Sequence, residues 1–207
     1  MDEKLKAYVT EKKPHIFILT PCYGSLCHTK YVSSLMNTMN LCQHYGINIT
    51  IEFCNNDSLV PRARNNLIAR AMSSNEMTHI MFIDADIGWN SVDIFKLLLD
   101  DKMLVGGIYP KKQYQWEKLQ KPNVVDEWLK KKEHPFYQQS VSDEKLIQNC
   151  LVNYNYNAKE HESELKIENN TTEVRHIATG FMMIKREVIE CMQKAFPSTH
   201  YVDDVGY

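Results

Sequence analysis

The sequence predicts an α/β fold: a mixed, mostly parallel central sheet flanked by helices, with an insertion over the ligand-facing side. Three observations carry that expectation. His79-Ile80-Met81-Phe82-Ile83-Asp84-Ala85-Asp86 is a short apolar run that ends in two acids one residue apart. An apolar run without polar alternation suits a strand buried on both faces, as a parallel sheet requires. Ahead of it, strand-like and helix-like stretches alternate, the order expected of βαβ units. Residues 111–171 then lose any consistent period and become rich in Lys, Glu, Gln and Asn.

Taken in order, residues 1–13 are polar and read as a loose N-terminal extension. Residues 15–20 read as a buried strand, followed by a turn at Pro21-Cys22-Tyr23-Gly24-Ser25, where glycine lets a ligand come close to the backbone. Neither GxGxxG nor a Walker A pattern occurs there, so a dinucleotide or P-loop site is not indicated. Residues 28–45 turn helical, with Val32, Leu35, Met36, Met39 and Cys42 on one apolar face and Gly46 as the stop. Residues 47–53 alternate as a second strand.

A polar loop over 54–58 follows, in which Asp57 or Ser58 would cap a helix that begins near Pro61 and runs to Met72. Arg62 and Arg64 lie at its N-terminal end, where cations oppose the helix dipole unless an anion is near. A diphosphate would supply that anion and suits guanidinium forks; two solvated surface arginines are the plainer alternative. After the central apolar strand, Asn90-Ser91 caps a helix bearing Val92, Ile94, Phe95 and Leu97 to Leu99. Residues 103–110 read as a strand whose Gly106-Gly107 admits a ligand or another backbone.

Residues 111–171 are expected to form an insertion of short strands, turns and one helix at most. Their aromatics, Trp116, Trp128, Phe136, Tyr137, Tyr154 and Tyr156, either line an acceptor groove or anchor the insertion. Residues 174–186 read as a strand broken at Thr179-Gly180, and residues 187–196 as a helix stopped by Pro197. The tail carries His200, Asp203 and Asp204.

The chemistry centres on Asp84 and Asp86. Burying Asp84 unpaired would cost several kcal/mol, roughly, so a cation is expected beside it. Ligands of open α/β sheets bind at the carboxyl ends of strands. Two carboxylates there can grip Mg²⁺ or Mn²⁺ through oxygen, and such an ion takes further ligands from water and a substrate diphosphate. The alternative is an Asp that caps the next helix beside a solvated neighbour.

Composition sets outer limits. The 207 residues suffice for one sizeable domain, and the net charge of -2 argues against broad nucleic-acid or membrane-surface binding. No apolar run approaches the roughly 20 residues of a transmembrane helix. The charged N-terminus has no signal-peptide h-region, which suggests a cytoplasmic chain. Its six cysteines form no C-x-x-C pair and read as reduced, mostly buried thiols.

Several stretches together resemble one enzyme group. They are Thr20-Pro21-Cys22-Tyr23-Gly24, the run from Asn56 through Pro61 to Asn65, Phe82-Ile83-Asp84-Ala85-Asp86, Gly106-Gly107-Ile108-Tyr109-Pro110, and Ala178-Thr179-Gly180-Phe181-Met182-Met183-Ile184-Lys185. With the order of elements before them, they resemble the GT-A glycosyltransferases of large DNA viruses and bacteria, over about residues 15–110 and 172–205. The resemblance implies one Rossmann-like GT-A domain over 1–207, with a nucleotide-sugar half at 14–110, the insertion at 111–171 and an acceptor-side half at 172–207.

It implies a UDP-sugar donor, a glycan or glycoprotein acceptor, and Mn²⁺ or Mg²⁺ as cofactor. Thr20, Pro21 and Tyr23 would border the uridine, and Asp57 would accept from the uracil. Arg62 or Arg64 would reach the ribose or diphosphate. Asp84 would meet ribose and metal, with Ala85 between it and Asp86, which would hold the metal. Gly106, Gly107, Thr179, Gly180 and Phe181 would face the sugar and the acceptor. Members of the group carry a further acidic motif and a late histidine beyond the point matching Tyr207. Either this chain is a piece of a longer protein, or His200 serves as third metal ligand and Asp203 or Asp204 as the base. A non-catalytic nucleotide-sugar or glycan-binding module is the alternative. A phosphotransferase using Asp84 as nucleophile is a third reading, although there the acid pair would close the first core strand, not the third.

Overall fold

The computed structural model describes residues 1–120, 123–133, 142–158, 166–168 and 170–203. The chain divides into two compact units, Ile108–Ile177 and the remainder on either side of it. Among the described residues there are seven α-helices, and the main sheet has five strands.

In the larger unit β1 (His15–Cys22), β2 (Asn48–Asn55) and β3 (His79–Ile83) are parallel, β1 lying between the other two. β9 (Phe181–Lys185) runs antiparallel to β3 on one side and to β4 (Leu104–Gly106) on the other. The sheet is therefore mixed and mostly parallel, with β9 the one reversed strand. All five residues of β3 are buried, which accounts for its unbroken apolar character. Ile16, Ile18, Leu19, Ile80, Met81 and Ile83 form the centre of the core.

The helices of this unit are α1 (Asp2–Lys12), α2 (Thr29–Tyr45), α3 (Val60–Ser73), α4 (Ser91–Leu99) and α7 (Arg186–Ala195). Gly46 ends α2 in the left-handed conformation, and Asn90 Oδ1 accepts the Val92 N–H at 3.1 Å to cap α4.

Two expectations need correction. Residues 1–13 are not a loose extension: α1 docks through Leu5, which is fully buried, and Tyr8 Oη donates to Asp101 at 2.9 Å. One buried leucine and one tertiary hydrogen bond are too sparse a signal to read as periodicity. In α2 the buried face is Tyr31, Ser34, Leu35, Thr38 and Cys42, while Val32, Met36 and Met39 are exposed. Trp89 explains the rotation. Its backbone N–H donates to Ser34 Oγ at 3.0 Å, its carbonyl accepts from Ser34 Oγ at 2.8 Å, and its Nε1 donates to Thr38 Oγ1 at 2.9 Å. Hydroxyls with satisfied partners are buried at little cost, and here they outrank methionine.

In the smaller unit β5 (Pro110–Tyr114) pairs antiparallel with β6 (Val152–Tyr154), and β7 (Tyr156–Asn157) with β8 (His176–Ile177). It holds two α-helices, α5 (Asn123–Glu133) and α6 (Asp143–Leu151), more than the single helix expected; Ser142 Oγ accepts from the Lys145 N–H to cap the second. Trp116 is exposed, and Lys132 stands 5.4 Å from the centre of the Trp128 ring. Phe136 and Tyr137 lie outside the described residues.

Candidate functional site

The three parallel strands deliver their carboxyl ends to one edge of the sheet, with Cys22 opposite Asn55 in register. β1 leads into a turn at Tyr23–Ser25 in which Gly24 and Ser25 take φ of +69° and +55°. β2 leads to Asn56-Asp57, and β3 to Asp84-Ala85-Asp86. Helix α3 joins the last two. It carries no side-chain cap of its own. Instead Asp57, fully buried at its side chain, accepts the Leu59 N–H and Arg62 Nη2 on Oδ1 and Arg62 Nε on Oδ2, each at 2.9 Å. Two residues further on, Arg64 Nη2 donates to Asp84 Oδ1 at 2.8 Å, and its guanidinium carbon stands 5.8 Å from the centre of the Phe82 ring.

The cation expected beside Asp84 is thus Arg64. Beside the two alternatives for Arg62 and Arg64, a diphosphate or plain solvation, the structure shows a third arrangement: each cation meets a carboxylate of the chain itself at the helix start. Asp57 itself is engaged by the Leu59 amide and a two-pronged arginine contact. Arg64 Nε is buried without a hydrogen-bond partner.

Backbone contacts hold the acid pair in place. The Asp84 N–H donates to the Gly180 carbonyl at 3.0 Å, the Ile87 N–H to the Asp84 carbonyl at 3.0 Å, and the His28 N–H to the Ala85 carbonyl at 2.9 Å. Asp84, Ala85 and Asp86 are all partly exposed at this edge. Of the residues expected after β1, Tyr23 is 72% exposed and Pro21 half-buried. Thr20 is fully buried, its hydroxyl 2.6 Å from Tyr31 Oη, so its side chain braces the core. Burial also pushes the Tyr31 phenol up to about 12.

The chain's later segment returns to the same helix. Asn66 Nδ2 on α3 donates to Asp203 Oδ2 at 2.5 Å, and Asn65 Nδ2 to Tyr201 Oη at 3.2 Å. Asp204 lies outside the described residues. His200 is exposed, with its N–H on the Pro197 carbonyl. Among the described residues no three His, Cys, Asp or Glu side chains gather as a metal group. The short turn after α7 holds the His200 backbone to Pro197.

Gly106 closes β4. The Gly107 N–H donates to the Phe181 carbonyl at 3.0 Å, and a Cβ on Gly107 would come within 2.8 Å of Phe181 Cδ1. Gly180 and Phe181 are buried, the Phe181 ring lying 6.1 Å from that of Trp89. Phe181 therefore packs in the core, paired in the sheet with Ile83, the residue before Asp84. Thr179 stays partly exposed beside it.

No protein-family profile matches this chain, and no curated protein does. A solved structure described as A197 from STIV is similar to it at 16% identity and a TM-score of 0.45, over 85% of this chain and 67% of that one. No helix among the described residues is long and apolar enough to cross a membrane.

Asp84 and Asp86, one residue apart and both partly exposed, could give a hard divalent ion two carboxylate donors. That number suits Mg²⁺ or Mn²⁺ bound through one or two carboxylates, water and substrate phosphate. The residues to which the sequence drew no attention are Asn66, Tyr31, Ser34 and Trp89. Asn66 follows Arg62 by four residues and so shares its helix face, the one signal available for it.

Proposed function

We propose that this protein is a metal-dependent glycosyltransferase of GT-A type that moves a sugar from a UDP-sugar to a glycan or protein acceptor. The observation that carries the reading is the start of α3, where Arg62 and Arg64 are each tied to an acid that follows a parallel strand, Asp57 and Asp84. This puts the Arg64 guanidinium against Asp84, with Arg62 held by Asp57 just past the end of β2. A nucleoside diphosphate calls for both, guanidinium forks for its oxygens and a hard cation to bridge them.

In this reading Tyr23 lies against the uracil ring, and Asp57 acts through Arg62, which it holds in one orientation. Arg64 divides its attention between Asp84 and the diphosphate. Asp84 and Asp86 would hold Mn²⁺ or Mg²⁺, which when bound supplies Lewis-acid stabilisation of the charge on the departing diphosphate. Arg64 adds a fixed positive charge to the same place, where preorganised electrostatics contribute most. Asp203, oriented by the Asn66 amide, takes the proton of the acceptor hydroxyl; a general base needs that hydroxyl within hydrogen-bond reach. The cytoplasm, a reducing compartment, suits a chain whose six cysteines are all unbridged.

Asp86→Ala tests the donor site. It should abolish Mn²⁺-dependent binding of UDP and UDP-sugars, measured by calorimetry, while circular dichroism and melting stay unchanged. A variant that binds UDP as tightly as the parent would defeat the proposal. Asp203→Asn should stop transfer with donor affinity kept. Tight UDP binding by the parent chain, with no turnover of any UDP-sugar, would instead favour a non-catalytic binding module.

A further inference from the structure

The turn between β1 and α2 holds two thiols that the proposed reaction does not use. Cys22 ends β1, and its Sγ lies 3.4 Å from the Sγ of Cys27 and 3.1 Å from the Leu26 carbonyl oxygen, to which it can donate. The backbone between them already doubles back through Gly24 and Ser25 at positive φ. Cys22 is buried and Cys27 partly exposed. None of the other four cysteines has a thiol neighbour among the described contacts: Cys42, Cys54 and Cys150 are buried, and Cys191 is exposed.

We propose that Cys22 and Cys27 are a redox modification site, converted to a disulfide by low-molecular-weight disulfides and reversed by thiols. The step divides between the sulfurs according to access. Cys27 meets the reagent: its thiolate attacks one sulfur of the external disulfide, the S–S bond breaks, and one small thiol leaves carrying a proton. The Cys22 thiol then gives up its proton, and its sulfur displaces the second small thiol from Cys27. Two protein thiols are oxidised and one external disulfide is reduced to two thiols. The pair is poised for this because the two sulfurs already stand in contact, at 3.4 Å, on one tight turn. Burial, followed by the contact with Cys27, pushes the Cys22 thiol up to about 11, so Cys22 is a poor first attacker and serves as the resolving thiol.

The bond would have a consequence beyond the turn. His28, next to Cys27, donates its N–H to the Ala85 carbonyl between the two acids. Closing Cys22 onto Cys27 stiffens the segment that makes this contact.

The test is incubation of the full chain with glutathione disulfide under native conditions, followed by alkylation and non-reducing peptide mapping, with exposed Cys191 as the internal measure of reagent exposure. The expected product is a Cys22–Cys27 linked peptide in which both thiols vanish together. Cys22→Ser should retain glutathione on Cys27, and in Cys27→Ser Cys22 should stay unmodified. Amide exchange at His28 should slow measurably in the oxidised chain. The proposal fails if Cys22 and Cys27 both remain alkylatable once Cys191 is fully modified, or if glutathione stays on Cys27 of the parent sequence. It fails equally if Cys22 reacts in the Cys27→Ser chain, or if His28 exchanges at the same rate before and after oxidation.

Discussion

Arg64 is the residue on which the chemistry of the site turns. Its ion pair with Asp84 stands at 2.8 Å, and in the proposed metal site arginine and divalent ion would compete for that carboxylate. Both partners are partly exposed, and such pairs contribute at most about 1 kcal/mol. Arg64→Met should therefore tighten binding of Mn²⁺ alone by up to about fivefold, and weaken binding of UDP in its presence. Manganese electron paramagnetic resonance reads the first and calorimetry the second; unchanged Mn²⁺ affinity would show that the pair does not restrain Asp84. Asp57 plays a different part. Its removal leaves Arg62 and the Leu59 N–H without their acceptor in a buried corner, so Asp57→Ala should cost about 2–4 kcal/mol of stability, read from the urea midpoint.

At the scale of elements, β3 and β9 carry both the site and a titration that is unrelated to it. His79 opens β3 at the end away from the acids, is 6% exposed, and has its pKa lowered from 6.5 to about 4, by burial first and then by the charge of Lys185. The unfolded chain binds this proton more readily than the folded one. Stability is then full above about pH 6.5 and falls as pH drops toward 4, by about 3 kcal/mol in total. Urea unfolding across that range should show the loss, and His79→Gln should remove that part of it. Where β4 meets β9, Gly107 allows the Phe181 ring its place. Gly107→Ala would drive a methyl group into Phe181 Cδ1, and the buried ring, with Trp89 6.1 Å away, has little room to yield. The expected cost is about 1–3 kcal/mol, seen as a lower melting temperature.

For the whole molecule, the division into two units separates the proposed roles. Asp57, Arg62, Arg64, Asp84, Asp86 and Asp203 all belong to the larger unit, as do Tyr23 and Gly107. Gly107 and Phe181 are joined by a backbone hydrogen bond, so the chain leaves this unit and re-enters it at neighbouring points. Replacing residues 108–177 with a short Gly-Ser linker should leave a folded protein that binds UDP with Mn²⁺ within a few-fold of the parent. Transfer to acceptor should be lost. Loss of UDP binding in a folded deletion chain would put donor contacts in the smaller unit.

Much of this is legible in the sequence alone. A buried parallel strand must be apolar on both faces, and an acid at its end must be met by a cation; Ile80 to Asp86 show both requirements in their order alone. Helix stops and caps such as Gly46 and Asn90 are equally local, because they satisfy the helix's own backbone groups. What the tertiary structure decided was which groups meet. Arg62 and Arg64 carried no mark of their partners, since Asp57 and Asp84 come from different strand ends and Coulombic pairing is indifferent to distance along the chain. Thr20, a plausible ligand neighbour by position, turned out to be bound to Tyr31, and α2 rotated its methionines outward because Ser34 and Thr38 found Trp89. Periodicity records the average apolarity of a face; a satisfied hydroxyl or a paired charge overrides it, and only the folded chain shows where the partner lies.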